Sequence, residues 1–549
     1  MKKLLPLFFI LALVGCKHDN KHNTQPETEE NSMEDISVKE VEYKVLDSQV
    51  ILNEDIWAVL GDEVDSFSQE DYEGVKALAF EKSIPAIQTA VSNGKLTYED
   101  LVLFYLKRIK KYDRENSGSL NSIIALNPNI LAEARALDTI EKEGVDKYSM
   151  YGMPVLLKDN INTTAMPTTA GATVFIDNQT DDAFITKMLK THGALILGKA
   201  NLSEWAYFFC GDCPSGYSAV GGQTLNPYGR KVHDTGGSSS GSGVSMAANF
   251  AAAAIGTETS GSILSPSSAN SIVGLKPTIG LFSRAGIVPI SSTLDTPGPM
   301  TRTVIDNAIM MNALQGVDKE DMASAKLNPA QKDYVKNLDI DSPTTILKEI
   351  KLGYYKEYMD DTLYLTAVED LKKNGAKLVE IERPEINLPQ FIRVLNLDMQ
   401  KDLPDYITKY GSPELTVRNM QEIATFNKQD SIISMPYGQK LFYGVLKDSA
   451  SAGEFTAIKD TLQTNGRLFF DTPMKDNSLD AVLSINNYMA GYAAVAKYPA
   501  ITVPMGYKDD GQPMGLTFIA PSRQEGLLLQ LALAYESISH KRKTPEGYN

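Results

Sequence analysis

Cysteine, histidine and tryptophan are scarce in this chain, at 3, 5 and 2 residues of 549. Three cysteines are too few for the disulfide framework that holds small secreted scaffolds together. Of the histidines, His18 and His22 lie in a polar stretch near the N-terminus. That leaves His192, His233 and His540 for chemistry, with no metal-ligand spacing among them; no metal and no cofactor is implied. Positive charge is also short, with 53 Lys and Arg against 69 Asp and Glu, a net charge of −16. No basic run follows the first residues, which excludes a phosphate backbone, and so nucleic acid, as partner. The apolar stretch Leu4 to Val14 falls short of the roughly 18 residues that a bilayer-spanning helix needs.

What the N-terminus does have is Lys2 and Lys3, that apolar stretch, and a small residue before Cys16: the pattern of a secretion signal. Leu13-Val14-Gly15-Cys16 resembles the lipobox of bacterial lipoproteins. The resemblance implies a signal peptide at 1–15, a diacylated Cys16 as new N-terminus, and a lipid-anchored protein of the bacterial cell envelope, periplasmic or surface-facing. An ordinary cleaved signal with an incidental cysteine is the alternative. Residues 16–45 read as the lipidated cysteine and a disordered tether, since polar sequence of this kind cannot repay the entropy of ordering. After lipidation two cysteines remain, Cys210 and Cys213, and in a secreted protein such a pair favours a small disulfide over free thiols.

From residue 46 to 549 the patterning is uninterrupted α/β, which favours one large domain. Ile84, Ile87 and Val91 mark a helix that Gly94 ends; Thr97 caps a second through Ile109; Asn129–Lys142 reads as a third. Pro154–Leu157 is a short buried strand that delivers Lys158 to its end. Thr186–Gly193 is helical, Ala194–Leu197 a strand, and a long alanine-rich helix is expected over Gly243–Ala254. Residues 306–479 are less regular, with a strand at Ile350–Tyr354. Strands at Ala500–Pro504 and Met514–Ile519 and a helix at Glu525–Ile538 resume the pattern.

Glycines and serines crowd both sides of that helix, in GGSSSGS from Gly236 and GTETSGSI from Gly256. A flexible linker is excluded by the apolar patterns pressed against both clusters. A phosphate loop needs Lys then Ser or Thr after its glycines, and neither follows. A nucleophile with its oxyanion hole is the remaining reading.

Those two motifs, with GLKPTIG, resemble the signature of the amidase signature family. The likeness extends through MPVLLKDNI at Lys158, KANLSEWA at Lys199 to Ala206, DTPGPMTR at Asp295 to Arg302, and YPAITVP at Tyr498 to Pro504. It implies an α/β fold: a single large domain with a mixed, mostly parallel central β-sheet covered by helices on both faces. The catalytic core would occupy about 70–305 and 480–540, with a variable specificity region at about 306–479. It implies a serine amidase with Ser262 as nucleophile, Ser238 as relay reached through a cis bond from Gly237, and Lys158 as base. Ser262 follows Ser238 by 24 residues, the family's usual spacing. Backbone N–H groups of Thr259, Ser260, Gly261 and Ser262 would form the oxyanion hole; many members have Gly or Asp at the place of Ser260.

Elementary chemistry agrees with a lysine base only if Lys158 is buried, because an ammonium of pKa ~10.4 cannot accept a proton near neutrality. The resemblance is nearest the bacterial peptide amidase branch, so the partner is a small-molecule or peptide amide. The alternatives are a transamidation subunit resembling the A subunit of glutamyl-tRNA amidotransferase, or an inactive amide-binding lipoprotein. Tyr207, Phe208 and Phe209 either line an acyl pocket or belong to the core. His233 is either at the rim of the site or an ordinary loop histidine.

Overall fold

The computed structural model describes residues 40–114, 117–140, 144–327 and 330–549. The expected signal peptide at 1–15, Cys16 and residues 16–39 of the expected tether lie outside the described residues. Residues 40–45, read from the sequence as the end of the tether, are bonded to the domain: the Val41 N–H donates to the Lys231 carbonyl at 2.6 Å and Lys44 Nζ to the Pro436 carbonyl at 2.5 Å. No helix among the described residues is long and apolar enough to cross a membrane.

The strands, in chain order, are β1 (Ile123–Leu126), β2 (Pro154–Lys158), β3 (Leu195–Ala200), β4 (Tyr217–Ser218), β5 (Gly222–Gln223), β6 (Ala253–Glu258), β7 (Val273–Lys276), β8 (Thr296–Thr301), β9 (Lys351–Tyr355), β10 (Lys377–Ile381), β11 (Ala481–Ile485), β12 (Ala500–Tyr507) and β13 (Pro513–Ile519). β4 and β5 pair with each other. The other eleven form one mixed sheet in the order β1-β3-β2-β6-β8-β7-β12-β13-β11-β9-β10. Pairing is parallel in two wings, β3-β2-β6 and β11-β9-β10, and antiparallel between and beside them.

Alternation along the inner strands shows that both faces are covered. On β12, Ala500 belongs to the apolar cluster that holds Leu264, Phe469 and Ala493, whereas the next residue, Ile501, belongs to the main cluster that holds Ile309, Tyr364 and Leu531. Strands buried on both faces lose the polar alternation that betrays a half-exposed strand. Every residue of β2, β3, β6, β7, β8, β11 and β13 is buried.

The alanine run corrects the sequence reading. The helix is Ser240–Ala247, and Ala253–Glu258 is strand β6 rather than its continuation. Asn249, at φ 58°, turns the chain, and the Ala252 N–H donates to the Pro154 carbonyl at 3.0 Å. Alanine favours helix when isolated, but here small side chains let the strand lie between β2 and β8 with the helix packed against it. The Asn129–Lys142 helix is also shorter than expected, running Ile130–Asp138.

Within residues 306–479, β9 and β10 extend the sheet and the helices Phe391–Tyr410, Met420–Gln429, Lys440–Lys447 and Ala452–Asn477 contribute to a second apolar cluster. That cluster takes in Trp205, Phe208, Phe209, Cys210 and Cys213. Phe209 meets Phe442 edge-on with centroids 4.9 Å apart, so Phe208 and Phe209 are core residues; Tyr207 remains 39% exposed, its hydroxyl donating to the Cys213 carbonyl.

Candidate active site

Lys158 ends a strand whose preceding residues, Val155, Leu156 and Leu157, are fully buried. Its Nζ donates to Ser238 Oγ at 2.8 Å, to Thr257 Oγ1 at 2.9 Å and to the Thr257 carbonyl at 3.1 Å. Sheet register supplies Thr257, because β6 runs parallel beside β2 with Ile255 opposite Leu157. Burial drives the lysine pKa down to about 7, against the nearby Asp295 and Glu258 carboxylates, which favour the charged form.

Ser238 follows a cis bond from Gly237 and stands just ahead of the Ser240–Ala247 helix. Its carbonyl accepts the Ser203 N–H at 3.0 Å. The neighbouring Ser239 ties three segments together. Its N–H donates to the Ser262 carbonyl at 3.2 Å, its Oγ donates to the Thr257 carbonyl at 3.1 Å, and that Oγ accepts the Thr257 N–H at 3.2 Å. The loops of Ser238 and Ser262 and strand β6 are thus joined around Lys158.

Ser262 is half-buried, and its Oγ makes no hydrogen bond among the described residues. Glu258 shapes the turn around it: Oε2 accepts the Ile263 N–H at 2.8 Å and the Leu264 N–H at 3.0 Å. The N–H groups of Thr259, Ser260, Gly261 and Ser262 donate to no protein group among the described residues. Four successive open donors beside a half-buried hydroxyl suit a developing oxyanion. Gly261 is required here: at φ +91° an L side chain is strained, and a Cβ would come within 2.9 Å of Asn487 Nδ2. Next to this turn Asp295 accepts from Thr259 Oγ1 at 2.5 Å and from the Ile290 and Ser291 N–H groups at 2.8 Å; burial raises its pKa to about 6.

The amidase family profile matches residues 100–432. The chain belongs to the amidase signature family. A probable amidase of Arabidopsis thaliana is 34% identical over 486 residues, covering 85% of this chain and 91% of the relative. Among solved structures, an amidase family protein from Bacillus anthracis superposes with a TM-score of 0.86 at 37% identity, covering 92% of this chain and all of that one. The peptide amidase from Stenotrophomonas maltophilia gives 0.79 at 35%, covering 85% and 99%.

Within this amidase the structure brings Lys158 and Ser238 into contact and joins the Ser262 backbone to the residue after Ser238. Cys210 and Cys213 form a disulfide. Of the described histidines, His192 caps its own helix, Nδ1 lying 2.9 Å from the Met188 carbonyl, and His233 is buried with Nε2 3.2 Å from the Asp510 carbonyl. Sequence reasoning missed Thr257, which holds Lys158, and Asp295, which holds Thr259. Both lie inside quoted motifs, GTETSGSI and DTPGPMTR, and a polar residue at each was the available signal.

Proposed function

We propose that this amidase hydrolyses a carboxylic or peptide amide through an acyl-enzyme, with Ser262 as nucleophile, Ser238 as relay and Lys158 as base. The observation that carries this reading is the 2.8 Å contact between a fully buried lysine and Ser238 Oγ. Neutral Lys158 takes the Ser238 proton as Ser238 takes that of Ser262, and Ser262 Oγ bonds to the amide carbon. The open N–H groups of residues 259–262 face the oxyanion. As the C–N bond breaks, the proton returns through Ser238 to the leaving nitrogen, releasing ammonia or an amine; water then cleaves the ester by the same route.

Two of the solved relatives at 35% or more identity support an amidase chemistry, and the peptide amidase among them favours peptide C-terminal amides as the first substrates to try. The test is ammonia release from peptide C-terminal amides, fatty-acid amides and aryl amides, wild type against Ser262→Ala. Release that the substitution abolishes supports the reading. Release that persists in Ser262→Ala, or none from any amide, rejects it.

The lipobox-like Leu13-Val14-Gly15-Cys16 supports anchoring of the mature protein to the cell envelope through a lipid on Cys16. Mass spectrometry of envelope protein is expected to find a diacylated or triacylated N-terminal Cys16, and an unmodified N-terminus beyond it overturns the anchor.

A further inference from the structure

A cavity of about 570 Å³ lies where the Ala452–Asn477 helix, the end of the Ala490–Ala496 helix and the Ser292–Leu294 turn meet. Arg284, Lys326, Lys459 and Lys497 line it, with Asp460 as the carboxylate beside them. Arg284 is already paired, its guanidinium held by Asp321 at 2.5 and 2.7 Å. Lys326 and Lys497 make no ion pair and no side-chain hydrogen bond among the described residues, and Lys459 has only the Phe455 ring, its Nζ 4.1 Å from the centroid. Lys497 is half-buried at φ 61°, and burial together with Arg284, Arg467, Lys459 and Lys326 lowers its pKa. Gathering like charges around a half-buried ammonium costs free energy, and this chain carries an excess of acid that could have neutralised them. The walls between the cations are apolar: Leu294, Val394, Leu462 and Val495.

We infer that this cavity binds an anion bearing two or more carboxylate or phosphate charges on an apolar stem. Its place relative to the nucleophile turn says how such a group would matter. A Cβ on Gly491 would lie 3.7 Å from Ser260 Oγ, and Lys497 follows six residues later, roughly 9 Å along the helix axis. Extended peptide covers that in about three residues. The same anion site therefore serves either the acidic end of an amide substrate or a free polyanion. The first source rests on the amidase reading above; binding itself does not.

Calorimetric titration of the full chain with tricarballylate and with inorganic pyrophosphate tests it, against Lys459→Gln/Lys497→Gln and against the exposed Lys326→Gln. Binding that weakens with salt, and by at least about tenfold in the double variant at unchanged melting temperature, is the expected result. Peptide amides with Glu or Gln three residues before the terminal amide then separate the sources. A KM about tenfold lower for Glu, lost in the double variant, identifies the substrate's acid; equal KM values with pyrophosphate still bound identify a free anion. Failure of both probes to bind, in enzyme that turns over both peptides with equal KM, overturns the site. Anion binding without any turnover would leave it standing and reject the amidase mechanism instead.

Discussion

Lys158→Met is expected to lower kcat/KM by about 10⁴-fold or more while the protein keeps its fold, since in the proposed mechanism its loss leaves only the oxyanion donors and substrate binding to act. The unsubstituted enzyme should carry a matching pH signature. Burial holds the Lys158 pKa near 7, and the proposed base is the neutral amine, which is the form present above that pH. Plotted against pH, log(kcat/KM) should therefore climb with unit slope through the acid range and level off above about 7. An inflection near the ordinary lysine value of ~10.4, or full activity in the Met variant with unchanged unfolding, would remove Lys158 from the role of base.

Lys199→Met should produce the largest loss of stability. Lys199 and Asp159 are both fully buried, Nζ lying 3.1 Å from Oδ1, and Nζ also donates to the Ile161 carbonyl at 2.7 Å and to Thr168 Oγ1 at 2.9 Å. Breaking a buried pair from one side strands the other charge, which costs about 3–5 kcal/mol. Urea unfolding should show a lower midpoint at unchanged slope. Asp159 follows Lys158 directly, and Lys199 sits opposite Leu157 in the sheet, so the variant should lose activity as well. The double variant Asp159→Leu/Lys199→Met, which leaves no unpaired charge, should recover much of the stability. A double variant no better than the single would mean that the hydrogen bonds to Ile161 and Thr168, rather than the charge pair, dominate.

These two lysines show what could and could not be read from the chain. Lys158 was legible through the resemblance of MPVLLKDNI to the family's motif, with the apolar run before it pointing to burial, and glycine and serine crowding marked the loops of Ser238 and Ser262. Thr257 and Asp295 were not. A threonine in a strand-like segment looks like any β-former, and only the alignment of β6 beside β2 turns its hydroxyl toward the lysine. The outer helices announced themselves by their caps, as at Thr97, whose Oγ1 accepts the Asp100 N–H. Among the central strands, β2, β3, β12 and β13 could be read as short apolar runs, whereas β6, β7, β8 and β11 could not, because burial on both faces removes alternation. β8 is the extreme case: Pro297 and Pro299 argue against an inner strand, yet it pairs with β6 from Thr296 to Met300 while β7 reaches only Met300 and Thr301.

The order of the sheet also governs when this molecule can come into being. β7 and β11 are linked only through β12 and β13, which follow every other described strand in chain order. Until residues 500–519 arrive, the wing that carries Lys158 and the wing built from β9, β10 and β11 each end in an unpaired edge open to any passing strand. A chain cut short before residue 500 would thus be not a slightly shortened enzyme but two half-sheets with exposed edges, prone to aggregate.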